Sequence, residues 1–269
     1  MNINYMNYIH PNAKIGKNVT VGPFSSISEH VEIGDGTKIE SNVVIMDYVK
    51  IGSNCHIFPG AVIGAVPQDL KFKGETSWVE IGDNCVLREC VTVNRGTEAS
   101  GKMKTSIGNN CLIMSYSHIA HDCFIGNNVV LSSFTGLAGE TNIYDYAILG
   151  GKTGTHQFTR IGAHVMTMGG SLVGKDIPPY IIAGHLPLSY GGVNRIGLRR
   201  RGFATPKIEE ISSIYKTIYQ SNLNTTDACN KVEQDFPQTE ERDLILNFIR
   251  SSKRGIIRRD ASSDDLDEF

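Results

Sequence analysis

An aliphatic residue recurs at every sixth position through most of the chain between Ile9 and Val173. The repeat runs without a slip from Ile9 to Ile63, resumes from Ile81 to Val93, and resumes again from Ile107 to Val173, with threonine at 155 and 167. A fixed period of six is typical of a parallel β-helix, in which three hexads form one triangular coil. The sequence therefore predicts a prism of stacked coils with the repeated aliphatic side chains inside.

Four of the six cysteines fall four residues after the repeated aliphatic, in a slot that they share with valine and alanine. These are Cys55, Cys85, Cys111 and Cys123. No two cysteines form a CxxC pair, so the spacing does not indicate a zinc ribbon or a redox motif. We expect small interior side chains and free thiols in a reducing compartment.

Two segments interrupt the repeat, at about residues 65–79 and about 99–106. Counting hexads places both of them after the same side of the triangle. Loops gathered at one corner of a rigid scaffold are where function is usually placed. We predict a catalytic domain at residues 1–190, which contains the repeat. Its site is expected near the corner where the two loops emerge.

The period stops after Pro178-Pro179, and a helical pattern follows. Thr205-Pro206 reads as a helix N-cap followed by a first-turn proline. Two more helices are predicted at about 226–235 and 240–252. We assign residues 191–259 to a helical domain that packs on the end of the prism, and residues 260–269 to an acidic, disordered tail.

Composition sets limits on partners. The formal net charge of −2 gives no general reason to expect nucleic acid. The N-terminus lacks a basic start followed by an apolar core, and no apolar run approaches the roughly 20 residues of a membrane span. The sequence therefore predicts a cytoplasmic protein without a membrane span, and nothing in it indicates a cofactor.

One reactive cluster stands out on the repeat. Because three hexads complete a coil, His121 lies over Gly139 and then Gln157, while Asp122 lies over Glu140. His156 is predicted to lie in the same patch, and His118 to close the preceding corner. A histidine beside a carboxylate suits a general base, and a glycine amide one coil away suits an oxyanion donor. The absence of GxSxG or a catalytic cysteine setting favours direct transfer over an acyl-enzyme.

Specific motifs extend this pattern over about residues 8–259. They are Gln68-Asp69-Leu70-Lys71, the run from His118 to Cys123, Leu137-Ala138-Gly139, His156-Gln157-Phe158, Asp176-Ile177-Pro178-Pro179-Tyr180, Gly192-Val193-Asn194 and Arg200-Arg201-Gly202-Phe203. On these motifs the chain resembles the bacterial UDP-N-acetylglucosamine O-acyltransferases that begin lipid A synthesis. They belong to the left-handed β-helix hexapeptide acyltransferases.

The resemblance implies a homotrimer with sites between subunits, each transferring an (R)-3-hydroxyacyl chain from acyl carrier protein to the sugar 3-hydroxyl. His121 would be the base, Asp122 would orient it, and the Gly139 amide would hold the oxyanion. The residues implied to bind the nucleotide sugar and the donor are Gln68, Asp69, Lys71, His118, His156 and Gln157, with Asn194 and Arg200 at the nucleotide end. Arg199, Arg200 and Arg201 would form a docking patch for the acidic carrier protein.

The chain departs from the family pattern at two places. Glu140 stands where the family commonly has histidine, and Ile196, preceded by Arg195, stands where an acidic residue is frequent. We count Glu140 among the candidate substrate-binding residues. A carboxylate beside a diphosphate is repulsive unless it is protonated or paired, so Glu140 is expected to face an amine or the neighbouring subunit.

Acyl-chain length is a further expectation from the resemblance. Gly169 matches a position that limits this length in the family, and a glycine leaves the groove open there. The resemblance therefore implies a long hydroxyacyl chain, which Met166 and Met168 nearby could shorten.

Three alternatives stay open at the level of sequence. His118, His121 and His156 could serve as zinc ligands between two subunits, as in trimeric β-helix carbonic anhydrases, although the spacings do not reproduce that family. The solenoid could be a binding module without catalysis. Within the preferred class, the acceptor could be the 3-amino analogue of the sugar, which would give N-acylation.

Overall fold

A computed structural model describes residues 7–259; the predicted acidic tail at 260–269 lies outside the described residues. Twenty-five short strands, most of two residues, follow one another from residue 8 to 173. Their bounds are β1 Tyr8–Ile9, β2 Lys14–Ile15, β3 Thr20–Val21, β4 Ser26–Ile27, β5 Val31–Ile33, β6 Lys38–Ile39, β7 Val44–Ile45, β8 Val49–Ile51, β9 His56–Ile57, β10 Val62–Ala65, β11 Trp78–Ile81, β12 Val86–Leu87, β13 Thr92–Asn94, β14 Lys104–Ile107, β15 Leu112–Ile113, β16 His118–Ile119, β17 Phe124–Ile125, β18 Val130–Leu131, β19 Gly136–Leu137, β20 Asn142–Ile143, β21 Ile148–Leu149, β22 Gly154–Thr155, β23 Arg160–Ile161, β24 Met166–Thr167 and β25 Leu172–Val173.

Every third strand belongs to the same parallel sheet, so the strands form three sheets. Sheet 1 contains β1, β4 and every third strand to β25; sheet 2 starts with β2 and sheet 3 with β3. We call the turns after the strands of each sheet corners 1, 2 and 3. In sheet 1 the register pairs Ile63 with Val93, Val93 with Ile119, and Ile119 with Leu137. The predicted coil of three hexads is therefore confirmed. The aliphatic register continues across both excursions, with one irregularity between Ile63 and Ala65, where Ala65 pairs with Asn94.

The repeated aliphatic side chains fill the prism. Between Ile27 and Val173 they are at most 4% exposed, whereas Ile9 and Ile15, in the first described coil, are 38% and 36% exposed. The four predicted interior cysteines are buried with them. Cys85 Sγ donates to the carbonyl of Gly108, 3.0 Å away, and burial raises the pKa of Cys123 to about 12. The thiols are thus interior packing groups, and they also bond to the adjacent coil.

Corner 2 is built as a ladder of side-chain acceptors. Asn109 N–H donates to Asn127 Oδ1 at 2.9 Å, and Asn127 N–H donates to Asp145 Oδ1 at 2.9 Å. Each residue at the middle of this turn thereby satisfies the backbone amide of the residue one coil earlier, as buried or packed amides require. The ladder makes corner 2 a structural corner.

Both excursions leave the prism at corner 1. The first spans residues 66–77, and the second spans 95–103, earlier along the chain than the sequence indicates, because β14 begins at Lys104 where it pairs with Trp78. The two segments brace one another: Glu98 N–H donates to Glu75 Oε1, and the guanidinium of Arg95 lies over the ring of Phe72. Corner 1 therefore carries a supported pair of loops.

After the prism, β26 (Ile181–Gly184) and β27 (Ser189–Val193) form an antiparallel hairpin on sheet 3, and β28 (Arg258–Arg259) pairs with β27. Four helices lie between β27 and β28: α1 Arg195–Arg200, α2 Thr205–Gln220, α3 Thr225–Asp235 and α4 Glu240–Arg250. Thr205 is the first residue of α2 and Ala204 its cap, so the predicted cap lies one residue too late. No helix among residues 7–259 is both long and apolar enough to cross a bilayer.

The helices are tied to the end of the prism by buried polar bonds. Tyr215 on α2 donates its hydroxyl to Pro179 O at 2.6 Å. Arg160 on β23 donates to the carbonyl of Phe248 and lies over its ring. The helical region therefore packs on the last coils.

Candidate active site

The centre of the site is a histidine–carboxylate pair at corner 1. His121 lies two residues after the end of β16, and its Nδ1 lies 2.8 Å from Asp122 Oδ2. His121 is 7% exposed and Asp122 is fully buried. Asp122 has φ of 60°, the left-handed turn conformation that Asp tolerates better than most residues. The turn thus aims the carboxylate back at the preceding imidazole.

The imidazole lies over Gly139, one coil along the prism. A Cβ added to Gly139 would lie 2.5 Å from His121 Cε1 and closer still to Nε2. Gly139 has no positive φ, so its glycine is required by the contact with the ring rather than by the turn. The backbone shows the same stacking of these two turns, since Glu140 N–H donates to His121 O at 3.0 Å.

The amide of Gly139 has no acceptor among the residues that the structure describes. At corner 2 the equivalent amides are occupied by Asn and Asp side chains from the next coil. At corner 1 the next coil supplies Gln157, whose side chain does not take that place. A free N–H beside the imidazole is the geometry of an oxyanion donor.

The first excursion brings a second carboxylate to the imidazole. Asp69 Oδ2 lies 3.5 Å from Nε2 of His121, and Asp69 Oδ1 accepts from the backbone N–H of Lys71 at 2.9 Å. Gln68 and the side chain of Lys71 are exposed on the same loop. The loop thereby places polar groups around the nitrogen that faces away from Asp122.

The second excursion covers Asp122 from the other side. Thr97 donates through its N–H and its hydroxyl, and Ser100 donates through its hydroxyl, all to the Asp122 carboxylate. Lys102 Nζ donates to the Asp122 carbonyl at 3.0 Å. Sequence reasoning missed these residues, because a small polar loop carries no periodic signal that identifies its partner.

The other histidines border the pair. His118 on β16 is half-buried, and its Nδ1 lies 2.7 Å from the Thr92 hydroxyl. Burial lowers the pKa of His118, which therefore favours its neutral form. His156 and Gln157 are exposed at corner 1, two coils from His121, with His156 Nδ1 3.1 Å from Gln157 O. These residues form the far rim of the patch.

Glu140 projects from the turn beside the site. It has φ of 60° and is half-exposed. Its carboxylate forms no hydrogen bond or ion pair with any of residues 7–259. The carboxylate of Glu140, which stands where the family commonly has histidine, is thus available to a ligand or to another chain.

The residues implied to meet the nucleotide lie elsewhere. Asn194 is 3% exposed, accepts from Gly197 N–H as the cap of α1, and donates to His164 O. Arg201 donates to Tyr146 O at 2.8 Å, at corner 2, while Arg199 and Arg200 are exposed. The side chains of Asn194 and Arg201 are therefore engaged within the fold.

The residues implied to limit acyl length lie on yet another part of the prism. Met166 is on the outer face of sheet 3, and Gly169 is at corner 3, where an added Cβ would meet Gly151 O at 3.3 Å. Met168 is exposed beside it. Within one chain, the three groups of predicted site residues are thus distributed over three different corners.

In a single chain, the three histidines considered as zinc ligands are not gathered around one point. Among residues 7–259, no three His, Cys, Asp or Glu side chains lie close enough together to hold a metal ion. His118, His121 and His156 therefore do not form a ligand set in a single subunit.

Comparisons with known proteins agree with this geometry. Family models match as follows: UDP N-acetylglucosamine O-acyltransferase domain 2 at residues 176–257, the bacterial transferase hexapeptide at 104–139, and the GMPPB C-terminal domain at 3–106. The acyl-(acyl-carrier-protein)–UDP-N-acetylglucosamine O-acyltransferase of Trichlorobacter lovleyi is 49% identical, covering 96% of this chain and 100% of the relative. That of Sulfurihydrogenibium sp. is 54% identical, covering 92% and 93%.

Solved structures give the same result. The UDP-N-acetylglucosamine acyltransferase of Bacteroides fragilis superimposes with a TM-score of 0.92 and 54% identity, covering 95% of this chain and 100% of that one. The Arabidopsis UDP-N-acetylglucosamine acyltransferase gives a TM-score of 0.82 and 33% identity, covering 95% and 100%.

The stacked hexads and the histidine–carboxylate pair over a free amide define a hexapeptide-repeat acyltransferase, with the predicted left-handed parallel β-helix and C-terminal helices. More specifically, the chain belongs to the family of acyl-(acyl-carrier-protein)–UDP-N-acetylglucosamine O-acyltransferases.

Proposed function

We propose that this chain transfers an (R)-3-hydroxyacyl group from acyl carrier protein to the 3-hydroxyl of UDP-N-acetylglucosamine, the first step of lipid A synthesis. One observation carries the proposal beyond family membership. The imidazole of His121, with Nδ1 on Asp122, lies over an amide of Gly139 that has no acceptor among the described residues. A base and an oxyanion donor therefore adjoin one another, as acyl transfer requires.

The reaction follows from this arrangement. Nδ1–H of His121 donates to Asp122, so Nε2 carries the lone pair that removes the proton of the sugar hydroxyl. The sugar oxygen attacks the thioester carbonyl, and the resulting oxyanion accepts from Gly139 N–H. Collapse of the tetrahedral intermediate breaks the C–S bond, and the carrier's thiolate takes the proton from Nε2.

Substrate binding requires the first excursion to adjust. Asp69 Oδ2 lies 3.5 Å from Nε2, at the place where the sugar hydroxyl must approach. We infer that the incoming hydroxyl inserts between the two groups and bonds to both. Gln68, Lys71, His118, His156 and Gln157, placed around this point, bind the rest of the two substrates.

The distribution of site residues over three corners supports a homotrimer with its active sites between subunits. A neighbouring chain could bring its Gly169 and Met166, or its Arg200, beside the His121 of the first chain. Exposed Arg199 and Arg200 then remain to attract the acidic carrier protein. A soluble donor of this kind supports a reaction in the cytoplasm.

A second acceptor is favoured by Glu140. Its carboxylate has no partner among residues 7–259 and lies one coil from Asp122 in the register of the turns. An amine at the sugar 3-position would suit such a group better than a hydroxyl. N-acylation of the 3-amino sugar is therefore the alternative reaction.

The test uses purified protein with 3-hydroxyacyl carrier proteins of several lengths and either acceptor, and product is detected by mass spectrometry. His121→Ala should lower kcat by about a hundredfold to ten-thousandfold, the range for loss of a general base. His30→Ala is the matched control, because His30 also pairs with a carboxylate at corner 1, 3.2 Å from Asp47, several coils away. Undiminished activity of His121→Ala would overturn the proposal, and preference for the amine would identify the second acceptor.

A further inference from the structure

The carboxylate of Asp122 is saturated with hydrogen-bond donors. Oδ1 accepts from Thr97 N–H at 2.9 Å and from the Ser100 hydroxyl at 2.6 Å. Oδ2 accepts from the Thr97 hydroxyl at 2.7 Å and from His121 Nδ1–H at 2.8 Å. An ionised carboxylate has about four acceptor positions, so each one is filled. Three of the four donors come from the second excursion.

This saturation restricts the geometry of the pair. Thr97 is 1% exposed and Asp122 is fully buried, so water does not replace a missing donor easily. With three positions occupied by the loop, the remaining position on Oδ2 points at Nδ1. The imidazole is held in one tautomer, and its ring stays over Gly139.

The loop is itself fastened to the prism near this point. Lys102 Nζ bonds to the Asp122 carbonyl at 3.0 Å, and Lys102 N–H donates to the Ser100 hydroxyl oxygen. Ser100 is therefore oriented by its own neighbour while it donates to Asp122. The second excursion therefore fixes the position of the Asp122 carboxylate through three hydrogen bonds, in addition to connecting two strands.

We propose that Thr97 and Ser100 are positioning residues that align the His121–Asp122 pair and set how tightly His121 holds a proton. The inference rests on the proposed function of His121 as base. Each hydroxyl donor withdraws charge from the Asp122 oxygens, which weakens their support of an imidazolium. Removing a donor should therefore make Asp122 a stronger partner of a protonated His121, and the pKa of His121 should rise.

The experiment measures kcat/KM against pH for the full-length protein with Thr97→Val and Ser100→Ala. Both should move the acidic limb to higher pH by about 0.5–1 unit and lower kcat/KM at the optimum by about tenfold, since bonds to charged groups are involved. Thr97→Ser restores the hydroxyl and should restore the wild-type profile. Thr135→Val is the matched control, because Thr135 is equally buried but donates to Ser132 O at corner 3.

A structural role alone would lower activity without moving the acidic limb, and Thr97→Ser would then have no shift to reverse. An unshifted limb in both variants, with thermal unfolding as in wild type, overturns the inference. A second readout needs no turnover: the titration of His121 followed by NMR, assigned by comparison with His121→Ala. If His121→Ala keeps its activity, the proposed base fails, whereas the NMR titration still decides whether Thr97 and Ser100 control the imidazole.

Discussion

Replacing Gly139 with alanine tests the contact on which the proposed chemistry depends. The added methyl would lie 2.5 Å from Cε1 of His121, whereas non-bonded heavy atoms are most stable at about 3.5–4.0 Å. The ring must therefore retreat by about 1 Å. It cannot do so freely, because Asp122 holds Nδ1 at 2.8 Å and is itself fixed by Thr97.

A displacement of about 1 Å at a reacting group costs on the order of a hundredfold in rate. That factor corresponds to about 2.7 kcal/mol in the activation free energy. We therefore expect Gly139→Ala to lower kcat/KM for acyl transfer by about a hundredfold. The backbone of Gly139 has no positive φ and accepts an alanine, so any loss in thermal stability should come from the displaced ring alone.

Gly174→Ala is the control for adding a methyl to corner 1. A Cβ at Gly174 meets nothing within 4 Å, and its φ is also not positive. We expect this variant to keep wild-type kcat/KM. A Gly139→Ala enzyme with kcat/KM within twofold of wild type and an unchanged unfolding transition would refute the argument that imidazole and glycine are coupled.

Two further predictions concern stability. Ile113→Ala removes a fully buried side chain from the prism and should cost about 3–4 kcal/mol in urea unfolding, whereas Ile196→Ala, at a position 65% exposed, should stay within about 0.5 kcal/mol; equal losses would contradict the assignment of the core. Burial in the stack beside Tyr146, with a nearby arginine, lowers the pKa of His164 to about 4, so below pH 6.5 the unfolded chain binds more protons and stability falls toward pH 4. His164→Phe should remove about 1 kcal/mol of that loss between pH 7 and pH 5, after allowance for partial exposure. If the urea midpoint falls by the same amount between these pH values in wild type and in His164→Phe, His164 does not have this role.

The fold could be predicted from the sequence because the period and the packing have the same cause. Each inward aliphatic, from Ile27 to Val173, needs an equivalent above or below it, so the spacing fixes the coil and the register. The stacking of His121 over Gly139 follows from the same arithmetic, since no excursion separates them.

The irregular parts could not be obtained in this way. The approach of Asp69 to His121 and the bonds of Thr97 to Asp122 depend on loop conformations that no repeat specifies. Asn194 shows the converse problem: an Asn before a helix reads equally well as a ligand contact or a cap, and the structure uses its side chain within the fold. Local chemistry alone does not distinguish these roles.

The uninterrupted run of coils from β14 to β25 also limits how sequences of this kind can evolve. Inserting one residue within a strand between His121 and Gly139 would turn the inward aliphatic of that strand outward and would disturb the stacking of the base on its amide. Insertions of whole coils would preserve the packing but would still part these two positions. Length variation among related sequences should therefore accumulate at the two excursions, residues 66–77 and 95–103. The number of residues between His121 and Gly139 should stay constant.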